Sequence, residues 1–160
     1  MVKPSQTEER SPTRREARVH AMQILYAYEL SGEPIEMLVE SIAGENAGQA
    51  QDHFDLVKRL VYSAINHRNE TEEIIRSFVR RWEFDRIARV DGVLLRLGIC
   101  EFLYFPEIPV KVTIDEYVEI AKQYSTVKSG RFVNGILDAV LHDPNLQSRI
   151  RKSGRGLVDT

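Results

Sequence analysis

The chain has 160 residues, a length typical of one domain or of two small lobes that share a core. Apolar residues make up 42% and charged residues 29%, which excludes a wholly disordered chain. The single cysteine, Cys100, excludes a disulfide scaffold and a multi-cysteine zinc site. No apolar run approaches the roughly 20 residues that span a bilayer, and the polar N-terminus carries no secretory signal. We therefore expect a cytoplasmic protein with no membrane partner.

The charged residues are unevenly distributed, although the formal net charge is only −2. Four arginines lie between Arg10 and Arg18, and a second basic group lies in the tail that begins at Asn145. Residues 19–57 contain no lysine or arginine but seven acidic residues, namely Glu29, Glu33, Glu36, Glu40, Glu45, Asp52 and Asp55. The overall charge argues against a dedicated nucleic-acid binder, but basic ends on a neutral body create a local electrostatic footprint.

The hydrophobic pattern predicts an all-α protein of about seven helices. Thr13-x-x-Glu16 and Thr113-x-x-Glu116 match the capping box that starts a helix. Residues 110–114 alternate like a strand but have no partner strand, so we interpret them as leading into a helix. In chain order, the predicted helices are residues 13–31, 34–44, from 52 to a bend at 69–71, 74–82, 85–103, 113–124 and 129–143.

The domain organisation follows from the same pattern. We expect a flexible N-terminal arm over residues 1–12, a single helical domain over residues 13–144 and a loose basic tail over residues 145–160. Within the domain, two packed lobes are expected at about 13–82 and 83–144. The fifth helix is apolar almost all the way round, which is typical of a helix at the centre of a bundle.

No sequence signature of catalysis or of metal binding is present. The chain contains no GxxxxGK or GxGxxG phosphate loop, no GxSxG elbow and no HExxH pair. Cys100 lies in an apolar helix, which predicts a buried, inert thiol. His67 and Glu70 form one pair on a polar helix face, which we interpret as solvated. The sequence therefore contains no recognisable catalytic constellation and no recognisable metal site.

The positive functional signal is an arginine cluster at the start of the first helix. Arg14 and Arg18 are spaced i, i+4, so they lie one above the other, and Arg15 lies beside them. Like charges at this spacing repel, and basic side chains at a helix N-terminus oppose the macrodipole. This unfavourable arrangement predicts phosphate binding, although an ordinary solvated basic turn is the alternative.

A further basic group, separate from the tail, lies around the junction of the sixth and seventh predicted helices. It consists of Lys122, Lys128 and Arg131, and the same stretch contains Tyr124 and Phe132. Aromatic rings among basic residues are suited to stacking on single-stranded bases. The alternative places both rings in the core.

Asn134-Gly135 interrupts the pattern of the seventh helix. Glycine costs about 1 kcal/mol relative to alanine in a helix interior. We interpret the pair as a packing device, in which another helix approaches Gly135 closely and Asn134 is hydrogen-bonded inside. A ligand contact is the alternative.

Three segments resemble the NusB family of bacterial transcription antitermination factors, and together they span about residues 13–141 in family order and spacing. They are RREAR leading into QILY, WEFDRIARVD followed by LRL and EFL, and PVKVTIDE followed by EIAK and RFVNGIL. The resemblance implies an all-helical fold of two lobes with three to four helices each. It also implies no catalysis and no cofactor.

The resemblance further implies a set of partners. Members of the family bind the boxA element of nascent ribosomal RNA leaders together with NusE, a small-subunit ribosomal protein that doubles as an elongation factor. The pair joins a larger complex on RNA polymerase that suppresses premature termination. Some members self-associate through the surface that otherwise meets NusE, so a homodimer is an open alternative.

The resemblance assigns RNA binding to the basic residues. The arginine-rich start of the family's first helix falls on Arg14, Arg15 and Arg18. Glu16 interrupts that run where relatives often have another basic residue. Lys128 stands where many relatives carry an acid, and a positive charge there favours RNA. With Lys122 and Arg131, these residues form the expected RNA-binding set.

The resemblance assigns the NusE-facing surface to Tyr26 and Asp91. We expect the two residues to lie near each other on one exposed face, where the tyrosine ring and the acid suit a basic partner protein. The alternative for Tyr26 is a core position, because it falls on the apolar stripe of the first helix.

Two other functions stay open from the sequence. One is the RNA-binding helical domain that resembles NusB in ribosomal RNA cytosine methyltransferases, which need a further domain with a cysteine nucleophile. The other is a helical adaptor that binds only proteins and whose arginines are merely solvated.

Overall fold

A computed structural model describes residues 13–44 and 51–157, and all regular elements in these ranges are helical. The predicted all-α fold is confirmed. Two four-residue helices account for the difference from about seven helices. The elements described are α1 (Arg14–Ser31), α2 (Ile35–Ala43), α3 (Gln51–Asn66), α4 (Arg68–Phe78), α5 (Arg81–Phe84), α6 (Arg89–Tyr104), α7 (Val110–Tyr124), α8 (Val127–Leu141), α9 (Pro144–Gln147) and a final 3-10 turn (Gly154–Leu157).

Local sequence signals set both ends of α1. The Thr13 hydroxyl accepts a hydrogen bond from the backbone N–H of Glu16 at 3.2 Å, which satisfies one of the free donors of the first turn. At the other end, Gly32 adopts a left-handed conformation with φ 68°, and its N–H donates to the carbonyl of Tyr28. Glycine tolerates this conformation without strain, so it ends the helix where expected.

The start of α7 differs from the prediction. The helix begins at Val110, directly after Pro109, and Thr113 lies inside its first turns rather than at the cap. Thr113 is fully buried, and its hydroxyl donates to the Glu101 carboxylate at 2.9 Å. The second capping box is therefore wrong, because the threonine serves a buried polar cluster. The alternating stretch 110–114 is the first turn of the helix.

Helix α6 occupies the centre of the bundle, as its composition predicts. It packs against α1, α3, α4, α7 and α8, and all residues from Val93 to Phe102 are buried. Gly98 permits this packing, because a Cβ atom there would lie 2.9 Å from Cδ2 of Leu137 on α8. The close helix approach expected at Gly135 therefore occurs at a different glycine.

The interpretation of Asn134-Gly135 as a packing device is wrong. Both residues are exposed on α8, and a Cβ atom built on Gly135 would meet no atom within 4 Å. Their face of the helix points away from the bundle, since Val133, Ile136 and Leu137 form the buried side.

A large part of the expected loose tail packs on the body of the protein. Leu146 in α9 is buried, and Arg149 forms an ion pair with Glu70 on α4. The Lys152 ammonium donates to two backbone carbonyls at the end of α6, each at 2.9 Å. Residues 144–157 thus bind to α4 and to the end of α6.

The arm at 1–12 and the last residues, 158–160, lie outside the described ranges, as does most of the loop expected after Gly44. The buried apolar side chains form one continuous cluster drawn from both predicted lobes. The division into lobes at 13–82 and 83–144 stays a prediction.

Candidate RNA-binding and partner-binding surfaces

Arg14 is the freest of the clustered arginines. Its side chain is exposed and has no hydrogen bond or ion pair within the described ranges. It borders two surface cavities of about 450 and 440 Å³, one toward α3 and one toward α7. An unpaired cation at such a rim is available to an anionic ligand.

Arg15 is held in place by an acid on α7. Its guanidinium donates two hydrogen bonds to the Glu116 carboxylate, at 2.7 and 3.0 Å, and about half of its side chain stays exposed. The bond from Arg15 lowers the pKa of Glu116, and the same bond raises the pKa of Arg15. The positive charge of Arg15 is therefore partly neutralised before any ligand arrives.

Arg18 is a core residue, and its expected exposed position is wrong. Only 1% of its surface is accessible, and its guanidinium forms a bidentate pair with buried Glu101 at 2.9 and 3.0 Å. The hydroxyls of Thr113 and Tyr117 also donate to this carboxylate. Burial is the largest single influence and acts to lower the pKa of Arg18. The charge and hydrogen bonds of Glu101, together with Tyr117 and Glu116, outweigh it, so the pKa is raised.

A sequence signal for the burial of Arg18 existed. Arg18 precedes Met22 by four residues and Leu25 by seven, so it lies on the buried stripe of α1. The i, i+4 spacing of Arg14 and Arg18 predicts a shared charged face, whereas the apolar period of α1 places Arg18 toward the core.

The basic group at the junction of α7 and α8 also contains both free and paired side chains. Lys128 and Arg131 on α8 are exposed and make no ion pair or hydrogen bond in the part of the chain described. Lys122 on α7 pairs with Glu119 at 3.1 Å, and its stem covers Gly130, where a Cβ atom would lie 2.6 Å from Cγ of the lysine. Lys128 and Arg131 therefore carry the free charge of this group.

The two aromatic residues of this stretch differ in exposure. Tyr124 at the end of α7 is 42% exposed, so the core alternative is wrong for its ring. Phe132 is half-buried, and its buried part packs against the core. An exposed ring able to stack on a base is thus present four residues before Lys128 in the sequence.

The surface expected to bind a partner protein is only partly exposed. Tyr26 on α1 is 38% exposed, so its core alternative is wrong. Asp91 on α6 is only 6% exposed, and its carboxylate accepts a hydrogen bond from the Ser129 hydroxyl at 2.8 Å. Its other oxygen has no partner in the described structure. The expectation that Asp91 lies on an exposed face with Tyr26 is therefore wrong.

An aromatic cavity beside Asp91 was missed from the sequence. It has a volume of about 390 Å³ and is lined by Trp82, Arg86 and Phe132 among others. Trp82 is 55% exposed, and the Arg86 guanidinium lies 5.6 Å from the centre of its ring. The predicted fourth helix, residues 74–82, included Trp82, but α4 ends at Phe78 and Trp82 belongs to the short α5.

An arginine cluster around Glu29 was also missed. The Glu29 carboxylate lies 2.5 Å from Arg96, 3.3 Å from Arg89 and 3.6 Å from Arg68. Arg96 is almost fully buried, and burial lowers its pKa. The cluster ties α1 to α4 and α6 through residues that are far apart in sequence, so local patterns carry no signal for it.

Neither a reactive thiol nor a metal cluster is found in the described residues. Cys100 is buried as expected, and burial raises the pKa of its thiol to about 11, so the thiol is inert at neutral pH. No group of three or more histidine, cysteine, aspartate or glutamate side chains in 13–44 and 51–157 is placed to hold a metal ion. No helix there has the length and apolar content that crossing a bilayer requires.

Comparison with known proteins identifies the family. The model of the NusB family matches residues 15–142. A transcription antitermination protein NusB from Salinibacter ruber is 40% identical over 146 residues, which cover 91% of this chain and 91% of the relative. The NusB relative from Chloroherpeton thalassium is also 40% identical, over 92% of this chain and 70% of its own length.

Solved structures agree with the sequence comparison. NusB from T. maritima superposes with a TM-score of 0.74 and 33% identity, covering 81% of this chain and 91% of that one. A complex of antitermination factors NusB and NusE with dsRNA superposes with a TM-score of 0.71 and 31% identity, covering 79% and 93%. The chain belongs to the NusB family of transcription antitermination factors. The family is non-catalytic, so the prediction that this chain is not an enzyme is confirmed.

Proposed function

We propose that this protein binds boxA-type single-stranded RNA of ribosomal RNA leaders together with NusE in the cytoplasm, and joins the elongating RNA polymerase complex. The observation that carries the proposal is the similarity, at 31% identity, to a complex of NusB and NusE with dsRNA. The protein acts by holding RNA and a partner protein, with no bond made or broken.

The free cations of the surface support the RNA part of the proposal. Arg14, Lys128 and Arg131 are exposed and unpaired in the described structure, so phosphates need not compete with internal acids for them. Arg15 and Lys122 contribute less, because each already faces a glutamate. Arg18 is withdrawn from the RNA-contacting set, since its guanidinium is committed to Glu101 inside the core.

Tyr26 and the rim of the aromatic cavity support the NusE part. Tyr26 and Trp82 expose large rings, and exposed aromatic side chains are enriched at the centres of protein interfaces. Asp91 lies recessed in the same cavity, with one carboxylate oxygen unpaired. The Asp91 carboxylate at this cavity would attract a basic side chain of a ribosomal protein.

Neither alternative function is favoured. A relative that matches over 91% of its own length is an antitermination protein, which favours the leading function. The purely protein-binding adaptor would leave Arg14, Lys128 and Arg131 without a role. Self-association competes with NusE for one surface in this proposal, so a homodimer should dissociate when NusE is added.

A titration of labelled boxA-type RNA with the protein, with and without NusE, at two salt concentrations tests the proposal. We expect NusE to tighten binding and salt to weaken it, because phosphate contacts release counterions. A duplex of the same length and a scrambled single strand are the controls. Equal affinity for boxA and scrambled RNA, with and without NusE, would refute the proposal.

A further inference from the structure

Two histidines face each other where α1 packs against α3. Nδ1 of His20 and Nε2 of His53 lie 2.9 Å apart, and the two rings are nearly perpendicular, at 89°. His53 is buried, with 5% of its surface exposed, and His20 is partly buried. One ring nitrogen of each imidazole is thus directed at the other inside a helix–helix contact. Neither the RNA-binding set nor the surface proposed for NusE includes this pair.

Both imidazoles are in the form that binds metal ions. Burial lowers the pKa of His20 and of His53, so both rings are neutral above about pH 6.5. A neutral imidazole keeps a lone pair on one nitrogen, and this lone pair is a common ligand of transition-metal ions. In the metal-free pair, one of the two facing nitrogens carries the proton of the hydrogen bond. A metal ion between the rings requires that this proton move to the other nitrogen of its ring.

The second ring nitrogen of His53 suits this arrangement. Nδ1 of His53 is buried and has no hydrogen-bond partner among the described residues. The backbone carbonyl of Thr13 is close enough to act as an acceptor and to raise the pKa of His53. A histidine that binds a metal through one nitrogen almost always donates from the other to an acceptor. His53 can therefore present Nε2 to a metal ion while its Nδ1–H turns to the Thr13 carbonyl.

Glu16 is placed to supply a third ligand. It lies one turn before His20 on the same face of α1. Glu16 is exposed, and its charge raises the pKa of both His20 and His53, so it lies within electrostatic reach of both rings. The described side chains hold no ready-made set of three ligands, so the carboxylate has to turn toward the pair. The facing nitrogens also have to separate slightly, because two nitrogens on a tetrahedral Zn²⁺ lie about 3.3 Å apart.

A surface cavity beside the pair gives a cation access to it. The cavity has a volume of about 450 Å³, and His53 forms part of its wall. Its other charged lining residues are three acids and two arginines, namely Asp52, Asp55, Glu107, Arg14 and Arg59. Arg59 is paired with Glu107, which leaves two acids against Arg14. The charge of this entrance therefore favours a cation over an anion.

We propose that His20, His53 and Glu16 bind a divalent transition-metal ion, with Zn²⁺ as the best-suited ion and water in the remaining position. Zn²⁺ accepts a ligand set of two imidazoles and one carboxylate, whereas Mg²⁺ and Ca²⁺ prefer oxygen ligands. The bound ion ties the start of α1 to α3. This inference does not depend on the binding of RNA or NusE.

Equilibrium dialysis of the full chain, stripped with EDTA, against Zn²⁺ tests the inference. We expect one Zn²⁺ per chain and a melting temperature that rises with Zn²⁺ but not with Mg²⁺, because an ion that binds only the folded state stabilises it. His53→Phe should abolish binding. Glu16→Gln keeps the size of an exposed side chain, so the fold should be unaffected, and the Kd for Zn²⁺ should rise by about tenfold or more.

His142→Phe is the matched control. His142 also faces an acid, Asp138, at 3.4 Å, but no second histidine contacts it in the described structure. This variant should bind Zn²⁺ like the wild type, and imidazole ¹⁵N NMR should show that Zn²⁺ shifts the resonances of His20 and His53 alone. The inference is overturned if the wild type binds no Zn²⁺, if either His53→Phe or Glu16→Gln keeps wild-type affinity, or if His142→Phe loses binding.

Discussion

Arg14, Arg15 and Arg18 lie within two turns of α1 but have three different environments. Arg14 is exposed and unpaired within the described structure, Arg15 is bound to an acid at the surface, and Arg18 is buried against Glu101. Surface ion pairs contribute little to stability, whereas removal of one partner of a buried pair leaves an uncompensated charge. Neighbouring residues of the same type therefore differ in what they do for the fold.

Substitution of Arg18 should affect folding first. We expect Arg18→Ala to lower the free energy of unfolding by about 3–5 kcal/mol, because Glu101 would keep its charge in the core without a cation. Urea denaturation measures the change. Arg14→Ala is the control and should stay within about 0.5 kcal/mol of wild type. Arg18→Met combined with Glu101→Gln should recover part of the loss, since it removes both charges. Wild-type stability of Arg18→Ala would contradict the buried pair.

A histidine pair links α1 and α3 near the arginines. His20 Nδ1 and His53 Nε2 lie 2.9 Å apart, and burial lowers the pKa of both imidazoles. The neighbouring His53 lowers the pKa of His20 further, whereas the Glu16 carboxylate acts in the opposite direction on both. The folded state therefore binds protons less readily than the unfolded state, whose histidines titrate near about 6.5.

Acid should destabilise the protein through this pair. As pH falls below about 6.5, the unfolded state takes up protons that the folded pair resists, so the free energy of unfolding should decrease. The measurement is urea denaturation at several values from pH 7.5 to 5.5. His53→Phe removes one imidazole and its effect on His20, and it should reduce the pH slope. If the free energy of unfolding of this variant depends on pH as steeply as that of the wild type, the histidine pair is not the cause of the pH dependence.

At the scale of elements, the C-terminal segment acts as a clasp. The helix α9 buries Leu146, and Arg149 and Lys152 bind groups at the ends of α4 and α6. Basic residues near the end of α6 also match the negative end of its helix dipole. The charges of Arg149 and Lys152 are used within the fold, which leaves less of the basic charge of this segment for RNA.

Shortening the Leu146 side chain tests how much the C-terminal segment contributes to the free energy of unfolding. We expect Leu146→Ala to lower the free energy of unfolding by about 2 kcal/mol, because a buried leucine loses its apolar contacts. Thermal or urea unfolding of the full chain is the measurement. The exposed Leu30→Ala on α1 is a matched control and should have little effect. A change no larger than that of Leu30→Ala would mean that the segment does not stabilise the body.

For the whole molecule, the net charge is only −2, but exposed basic side chains form two separate basic surfaces. One is Arg14 at the start of α1, and the other is Lys128 with Arg131 on α8. Glu116 and Glu119 on α7 neutralise Arg15 and Lys122. RNA that follows both surfaces would make a small number of phosphate contacts, so salt should weaken binding moderately.

The salt dependence tests whether one RNA reaches both surfaces. Each phosphate contact with single-stranded nucleic acid contributes about 0.7 to the slope of log affinity against log salt. We expect Arg14→Ala and Lys128→Ala each to reduce the slope by about this amount, and the double variant by about twice as much. Lys58→Ala on α3 serves as control. Loss of slope in only one single variant would show that the RNA contacts only that surface.

The amino-acid sequence by itself determined the helical class, the ends of α1 and the central position of α6. These features depend on contacts between residues three or four apart and on the apolar content of a single segment, so local patterns carry them. The family also followed from segments read along the chain, and the comparisons confirm it.

Only the tertiary structure decided which polar residues are available to a partner. Arg18 and Glu101 are 83 residues apart in sequence, and only the folded chain brings this carboxylate to the Arg18 guanidinium and withdraws it from any ligand. The same holds for Asp91, which Ser129 of a distant helix covers, and for Gly135, whose open surroundings local propensity cannot report. The exposure of a side chain depends on all the elements that pack around it, and those elements meet only when the chain is folded.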